Sequence, residues 1–239
     1  MRVLVTRPQP ASARTAAELK RLGHEPVLLP LMQAVQRPKV LASPPLPGTA
    51  AIAVTSAEAM RVLASLPNDA RHPFLALPLF AVGRATARAA REAGFQDVSV
   101  ADGDGRSLAR LLIAETDQNS SATILYLTGT PRSPDFETTL GDAGRIVDVR
   151  ECYQMIPTAY DDAEMARALT PMPDTILAYS SETASRIGEI FEGTGASLNW
   201  SEARFLCLSE KIAKTLPAKF QPRALWPMEP REDLLLLLL

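Results

Sequence analysis

The sequence predicts an α/β protein of two similar lobes, each a parallel sheet flanked by helices, with one lobe inserted in the other. Three observations carry that prediction. Short apolar runs alternate with helical patterns along all 239 residues, as in parallel sheets covered on both faces. Several separate features recur at one offset: Thr55-Ser56 and Ser180-Ser181 lie 125 residues apart, as do Phe95-Gln96 and Phe220-Gln221. A further pair recurs in permuted order. Thr6-Arg7-Pro8 opens a unit running through Gly23 to Gln33, and Thr128-Gly129-Thr130-Pro131 opens one running through Gly144 to Gln154, with Gly and Gln ten apart in both. A shared offset across independent features points to duplication.

In order, residues 3–6 read as a buried strand. A helix follows with Ala16, Leu19 and Leu22 on one face and Gly23 as its stop. Residues 27–29 form the next strand, and 31–37 make a first crossing between lobes. Residues 38–48 hold four prolines and read as extended loop. Residues 51–54 are a strand; Ser56 caps a helix with Ala59, Val62, Leu63 and Leu66 inward. After a strand at 79–82, Gly83 opens a helix with Ala85, Ala89 and Ala93 inward, Arg84, Arg88 and Arg91 outward, and Gly94 at its end. A short strand at 98–100 leads to a turn at Asp102-Gly103-Asp104-Gly105, and Ser107 caps residues 108–114. Residues 124–127 form a strand, Gly129-Thr130-Pro131 a turn and 136–143 a helix.

Residues 146–150 lead into the stretch 149–157, the second crossing, with Tyr153 facing the gap. Beyond it come a helix at 163–169, a strand at 176–179, and a helix carrying Ala184, Ile187, Gly188 and Phe191, each 125 beyond the face of the Ser56 helix. The strand at 204–208 repeats 79–82, and an offset of 126 sets Ser209 over Gly83. The domain reading is an outer lobe of 1–33 and 157–239, an inserted lobe of 38–152, and a linker of 31–37 and 151–157.

A net charge of -2 draws the protein to neither nucleic acid nor an anionic membrane. Cys152 and Cys207 have no metal spacing and read as buried thiols of a reducing compartment, hence a cytoplasmic protein. The first apolar run is too short for a signal peptide. The leucines at 234–239 are too few to span a bilayer, which takes about 20 residues; they read as the end of a buried or amphipathic helix. His24 and His72 stand alone and read as surface residues. No dinucleotide fingerprint or P-loop is present.

Open parallel sheets bind ligands beyond the carboxyl ends of their strands. Those ends carry Arg7, Thr55, Ser56, Ala57, Gly83, Arg84, Ala85, Thr86, Gly129, Thr130, Ser180, Ser181, Ser209 and Lys211. They are small, rich in hydroxyls and sparing in charge, and they suit carboxylate ligands. Each Ser or Thr reads either as a helix cap or as a ligand contact. Tyr153 reads either as an aromatic packed on the crossing or as a general acid, protonated at neutral pH from a reference pKa near 10.

Taken together, Val5-Thr6-Arg7-Pro8, Val54-Thr55-Ser56-Ala57, Ala81-Val82-Gly83 with Thr86-Ala87, Cys152-Tyr153-Gln154 and Tyr179-Ser180-Ser181 resemble the uroporphyrinogen-III synthase family over the whole chain. The resemblance implies two α/β lobes joined by a two-stranded linker. It implies an enzyme that closes the linear tetrapyrrole hydroxymethylbilane with loss of water and inversion of ring D, using no cofactor and no metal. Tyr153 matches a linker tyrosine proposed to help the ring A hydroxyl leave. A cytoplasmic monomer acting on a small molecule, with no nucleic-acid or membrane partner, is the expectation. Ser209-Glu210-Lys211-Ile212 departs from the Gly and Thr frequent at that place in the family. Glu58 and Glu182 are expected to point along their helices, away from an anionic ligand. The competing reading is a non-catalytic two-lobed module that binds a small anion.

Overall fold

The structure, a computed structural model, describes residues 1–116, 123–193 and 202–239, without the side chains of 191–193. Phe191, expected on a buried face, therefore lies outside the described side chains. The chain opens with β1 (Arg2–Val5), α1 (Ala11–Arg21), β2 (Glu25–Leu28) and β3 (Met32–Gln36). It continues through β4 (Thr49–Val54), α2 (Ala57–Ala64), α3 (Asn68–Leu75), β5 (Leu79–Val82), α4 (Gly83–Ala93), β6 (Val98–Ala101) and α5 (Gly105–Glu115). Then come β7 (Thr123–Thr130), α6 (Asp135–Asp142), β8 (Ile146–Pro157), α7 (Asp162–Leu169), β9 (Thr175–Ala178) and α8 (Ser181–Gly193). It ends with β10 (Arg204–Cys207), α9 (Glu210–Thr215), β11 (Ala224–Leu225) and α10 (Glu232–Leu236).

Two compact units result: an outer unit of Met1–Gln33 with Ile156–Leu239, and an inserted unit of Ala34–Met155. The outer sheet has strand order β11-β10-β9-β1-β2, and the other sheet β3-β8-β7-β4-β5-β6. Apart from β3, the two orders match strand for strand: β6-β5-β4-β7-β8 against β11-β10-β9-β1-β2. The permutation read in the sequence follows from this, because β7 and β8 take the places that β1 and β2 hold in the outer sheet. The two covalent crossings, β3 and β8, are neighbours in one sheet.

Period-two alternation sorts each sheet's side chains into a core on either face. In the inserted unit, Ile52 and Val54 join the Leu63, Ala87 and Phe74 cluster, while Ala51 and Ala53 join Leu108, Tyr126 and Phe136. In the outer unit, Leu4 and Ile176 face Ile187, Phe205 and Phe220. Val3, Val5, Leu19, Leu177 and Leu206 face the other way and are covered by Leu235 and Leu236 of α10. The terminal leucines are thus a buried helix end, as expected.

Several local expectations are corrected. Leu22 is exposed, because α1 ends at Arg21 and Leu22 is its C-cap. Residues 38–48 begin with a 3-10 helix, Pro38–Leu41, that buries Leu41. Leu66 lies past the end of α2 and is half-buried. The unforeseen α3 contains Pro73, a residue that argues against helix, yet buries Phe74 completely. The inward stripe of α4 is Thr86, Ala87, Ala90 and Ala93; Ala85 is exposed. Asp104, not Ser107, caps α5, taking the Ser107 N–H at 3.0 Å. Gly129 and Thr130 belong to β7 rather than a turn. His72 is exposed, but His24 is half-buried.

Since Leu235 is fully buried and Leu237 is 78% exposed, Leu235→Ala should lower stability by about 2–5 kcal/mol, and Leu237→Ala should stay within about 0.5 kcal/mol. Urea unfolding of both variants checks this; equal losses would contradict the docking of α10.

Candidate functional site

In both units the paired strands other than β3 are parallel, so their carboxyl ends share one edge. In the inserted unit this edge collects Thr55, Ser56 and Ala57 after β4, Gly83, Arg84, Ala85 and Thr86 after β5, and Gly129 and Thr130 on β7. Gly83 has φ 72°, a left-handed backbone that glycine adopts readily. Arg84 and Ala85 are exposed, while Thr86 faces the core. In the outer unit the edge collects Arg7 after β1, Ser180 and Ser181 after β9, and Ser209 and Lys211 after β10.

Tyr153 is placed by a bulge. The pairing of β7 with β8 runs from Thr123↔Ile146 to Thr128↔Glu151, then resumes at Gly129↔Tyr153, so Cys152 is the extra residue. Strict alternation would send Cys152 and Tyr153 to opposite faces. The bulge turns both into the same core, with Leu63, Ala87 and Leu127. Instead of standing open on the crossing, the Tyr153 ring is 8% exposed. A Cβ on Gly129 would fall on that ring, within 2.7 Å of Cδ2 and nearer still to Cε2 and Cζ. Only glycine leaves room for the phenol.

The Ser56 side chain lies beside the Tyr153 hydroxyl and favours its ionised form. Ser56 Oγ accepts the Glu58 N–H at 3.2 Å, the cap of α2. Thr55 Oγ1 and Tyr126 Oη are 3.1 Å apart. Burial pushes the Tyr153 pKa up to about 12, with Ser56 opposing the rise and Glu58 adding to it. The phenol stays protonated through the neutral range. Glu58 is held by Arg61 on its own helix and by Gln36 Nε2 of β3 at 2.8 Å, which fixes its carboxylate beside the site rather than along the helix alone. Arg37 bonds the side chain of Gln154 and donates its N–H to the Cys152 carbonyl at 2.8 Å. Arg132, after β7, bridges Glu137 at 2.5 Å and Glu151 at 2.6 Å.

The outer edge is organised differently. Glu232 Oε1 accepts from Arg7 Nη1 at 2.9 Å, Thr15 Oγ1 at 2.5 Å and Tyr179 Oη at 2.8 Å. The Arg7 guanidinium carbon lies 4.1 Å from the Tyr179 ring centre, a cation–π arrangement. Burial pushes the Glu232 carboxyl up, but the donors Thr15, Arg7 and Tyr179 outweigh it and hold the pKa below the ordinary value. Ser180 Oγ accepts the Thr183 N–H at 3.1 Å, so by hydrogen bonding Ser180, not Ser181, plays the capping part of Ser56. Ser209 is the N-cap residue of α9 without a side-chain cap bond, and Lys211 and Glu182 are exposed or partly so.

Sequence reasoning missed Tyr126, Thr15, Glu232, Arg132 and Gln36. Tyr126 and Thr15 sit in ordinary apolar and helical patterns, and Glu232 is 225 residues from Arg7, so no local signal joins them. Both thiols are fully buried, and burial pushes each pKa up to about 12. Among the described residues no cluster of His, Cys, Asp and Glu could hold a metal ion, and no helix is long and apolar enough to cross a membrane.

Two outcomes follow from this geometry. Gly129→Ala should lower stability by about 1–3 kcal/mol through overpacking, and Tyr153→Ala in the same chain should recover part of the loss; additive losses in urea would contradict the packing. Glu232 has a folded pKa below its unfolded value of about 4.5. Its stabilisation is therefore present above the unfolded value and lost as pH falls through the folded one. Glu232→Gln should flatten the acid limb of the melting temperature against pH below about 5. An unchanged acid limb would count against the ion pair.

A family model described as Uroporphyrinogen-III synthase HemD matches residues 13–236. The curated uroporphyrinogen-III synthase of Salmonella typhimurium is 28% identical over 225 residues, 89% of each chain. Among solved structures, uroporphyrinogen-III synthetase from Helicobacter pylori 26695 aligns with a TM-score of 0.64 at 16% identity, over 99% of this chain and 96% of that one. A mutant uroporphyrinogen III synthase from the extremely thermophilic bacterium Thermus thermophilus aligns with a TM-score of 0.55 at 20% identity, over 90% and 87%. The structural matches show the fold, and the family model over nearly the whole length settles membership: the chain belongs to the uroporphyrinogen-III synthase family.

Proposed function

We propose that the chain acts as a uroporphyrinogen-III synthase, a cyclising lyase that converts hydroxymethylbilane to uroporphyrinogen III with loss of water and inversion of ring D. The observation that carries the site reading is the Tyr153 phenol, turned inward by the bulge and packed over Gly129 at the carboxyl edge of the inserted sheet. Electron-rich pyrroles expel a protonated hydroxyl readily. Tyr153 would give its proton to the ring A hydroxyl as the C–O bond breaks, so that water leaves and a protonated azafulvene cation remains opposite the phenolate. The resulting phenolate would be held by the Ser56 O–H. The substituted carbon of ring D then attacks, and a spiro intermediate breaks and recloses with that ring reversed. The proton shed as the last pyrrole regains aromaticity restores the phenol, so protons balance.

The hydroxyls and N–H groups at the two carboxyl edges, Thr55, Ser56, Ala57, Gly83, Arg84, Ala85, Thr86, Gly129, Thr130, Ser180, Ser181, Ser209 and Lys211, with Arg7, would position the carboxylate-rich chain. Holding it folded is most of the task, because the leaving group departs easily. The working form in this reading is a cytoplasmic monomer that needs no cofactor, metal, nucleic acid or membrane.

The decisive assay incubates the protein with freshly made hydroxymethylbilane, oxidises the mixture and separates the porphyrin isomers. Type III above the spontaneous type I background is expected. Background alone would leave the anion-binding module. Tyr153→Phe should reduce type III formation about 10²–10⁴-fold, the usual worth of one general acid, while melting as the parent does. A folded Phe variant with full turnover would remove the phenol from the mechanism.

A further inference from the structure

We infer that Glu232, on the C-terminal helix, is a positioning residue that presents Arg7 to a carboxylate of the substrate. This rests on the proposed reading, in which Arg7 is one of the groups receiving the linear tetrapyrrole. Arg7 emerges directly beyond β1, on the outer unit's carboxyl edge, between the neighbours β2 and β9. An arginine there has a long stem and many rotamers. Here three contacts fix it. Glu232 Oε1 takes Nη1 at 2.9 Å, Thr15 Oγ1 lies 3.4 Å from the same nitrogen, and the Tyr179 ring lies 4.1 Å from the guanidinium carbon.

All the described polar contacts of Arg7 use Nη1. A guanidinium carries five N–H groups in a rigid fork. Anchoring it through Nη1 leaves the edge formed by Nε and Nη2 for a second, two-pronged carboxylate contact. The side chain is 23% exposed, enough for that contact. Glu232 is itself fixed. Thr15 and Tyr179 donate to the oxygen that holds Arg7, and the fully buried Leu235, one helical turn on, pins α10 to the sheet. The cluster is therefore a clamp built from separate parts of the chain, with its charge balanced before any ligand arrives.

Kinetics of type III formation by Glu232→Gln, Glu232→Ala, Arg7→Ala and the Glu232→Ala/Arg7→Ala pair test this, with a thermal melt on each. Glutamine keeps an oxygen acceptor and should leave KM within about threefold. Alanine should raise KM about tenfold, the size of one lost charge-assisted contact, with kcat within about threefold. Arg7→Ala should do the same, and the double variant should be no worse than Arg7→Ala alone. If Arg7→Ala leaves KM unchanged in a folded protein, Arg7 is not a substrate group and the inference falls with that part of the reading. If Arg7→Ala raises KM but Glu232→Ala does not, only the positioning role falls. A KM that drops in Glu232→Ala would make Glu232 a competitor of the substrate, and additive effects in the double variant would make the two independent; each overturns the inference. Absence of type III product from the parent protein would instead sink the proposed activity itself.

Discussion

Between Thr128 and Gly129 the register of β7 against β8 slips by one residue, and the polar edge of the inserted unit depends on that slip. Without the bulge at Cys152, Tyr153 would point to the other face of the sheet. With it, the ring drops over Gly129 into the core beside the start of α2. Helix α2 starts at Ser56 and supplies the Glu58 N–H to the serine oxygen. A packing constraint and a helix cap thus fix the position of one weakly acidic proton. The surroundings keep it on the oxygen: burial and the nearby Glu58 both disfavour the phenolate.

The two sheets share a strand order, yet their edges are finished differently. The inserted unit has neutral hydroxyls there: Thr55 paired with Tyr126, and Ser56 and Tyr153 close by. The outer unit has a compensated ion pair, Arg7 with Glu232, ringed by Thr15 and Tyr179. Much of what either edge offers a ligand is backbone and hydroxyl, which many side chains can frame.

Strand and helix alternation, the repeats and the capping role of Ser56 were legible because each is local or periodic. The register of β8 was not: a single extra residue has no hydrophobic signature, so the sequence left open whether Tyr153 packed on the crossing or served as an acid. The inward stripe of α4 was misplaced by a residue, since in an alanine-rich helix hydrophobicity scarcely distinguishes one face from the next and buried Thr86 looks polar. Helix α3 was hidden by Pro73. The partner of Arg7 was invisible for a topological reason. Glu232 reaches it only because α10 docks on the face of the sheet that β1 and β9 form together.

The insertion also sets an order of assembly. Residues 34–155 are continuous, and every strand of their sheet lies within them except the ends of the crossings β3 and β8. The outer sheet is split: β1 sits between β2 and β9, and its pairing of Val3, Leu4 and Val5 with Thr175, Ile176 and Leu177 joins segments on either side of the whole inserted unit. As the chain leaves the ribosome, β1 and β2 must wait, with one apolar edge unsatisfied, until the entire inserted unit and then β9 have been made. Contacts that close so long a span form slowly, so the inserted unit is complete while its host is still half a sheet. The early residues Val3-Leu4-Val5 spend that interval exposed, and newly made protein is at its most vulnerable to aggregation and proteolysis there.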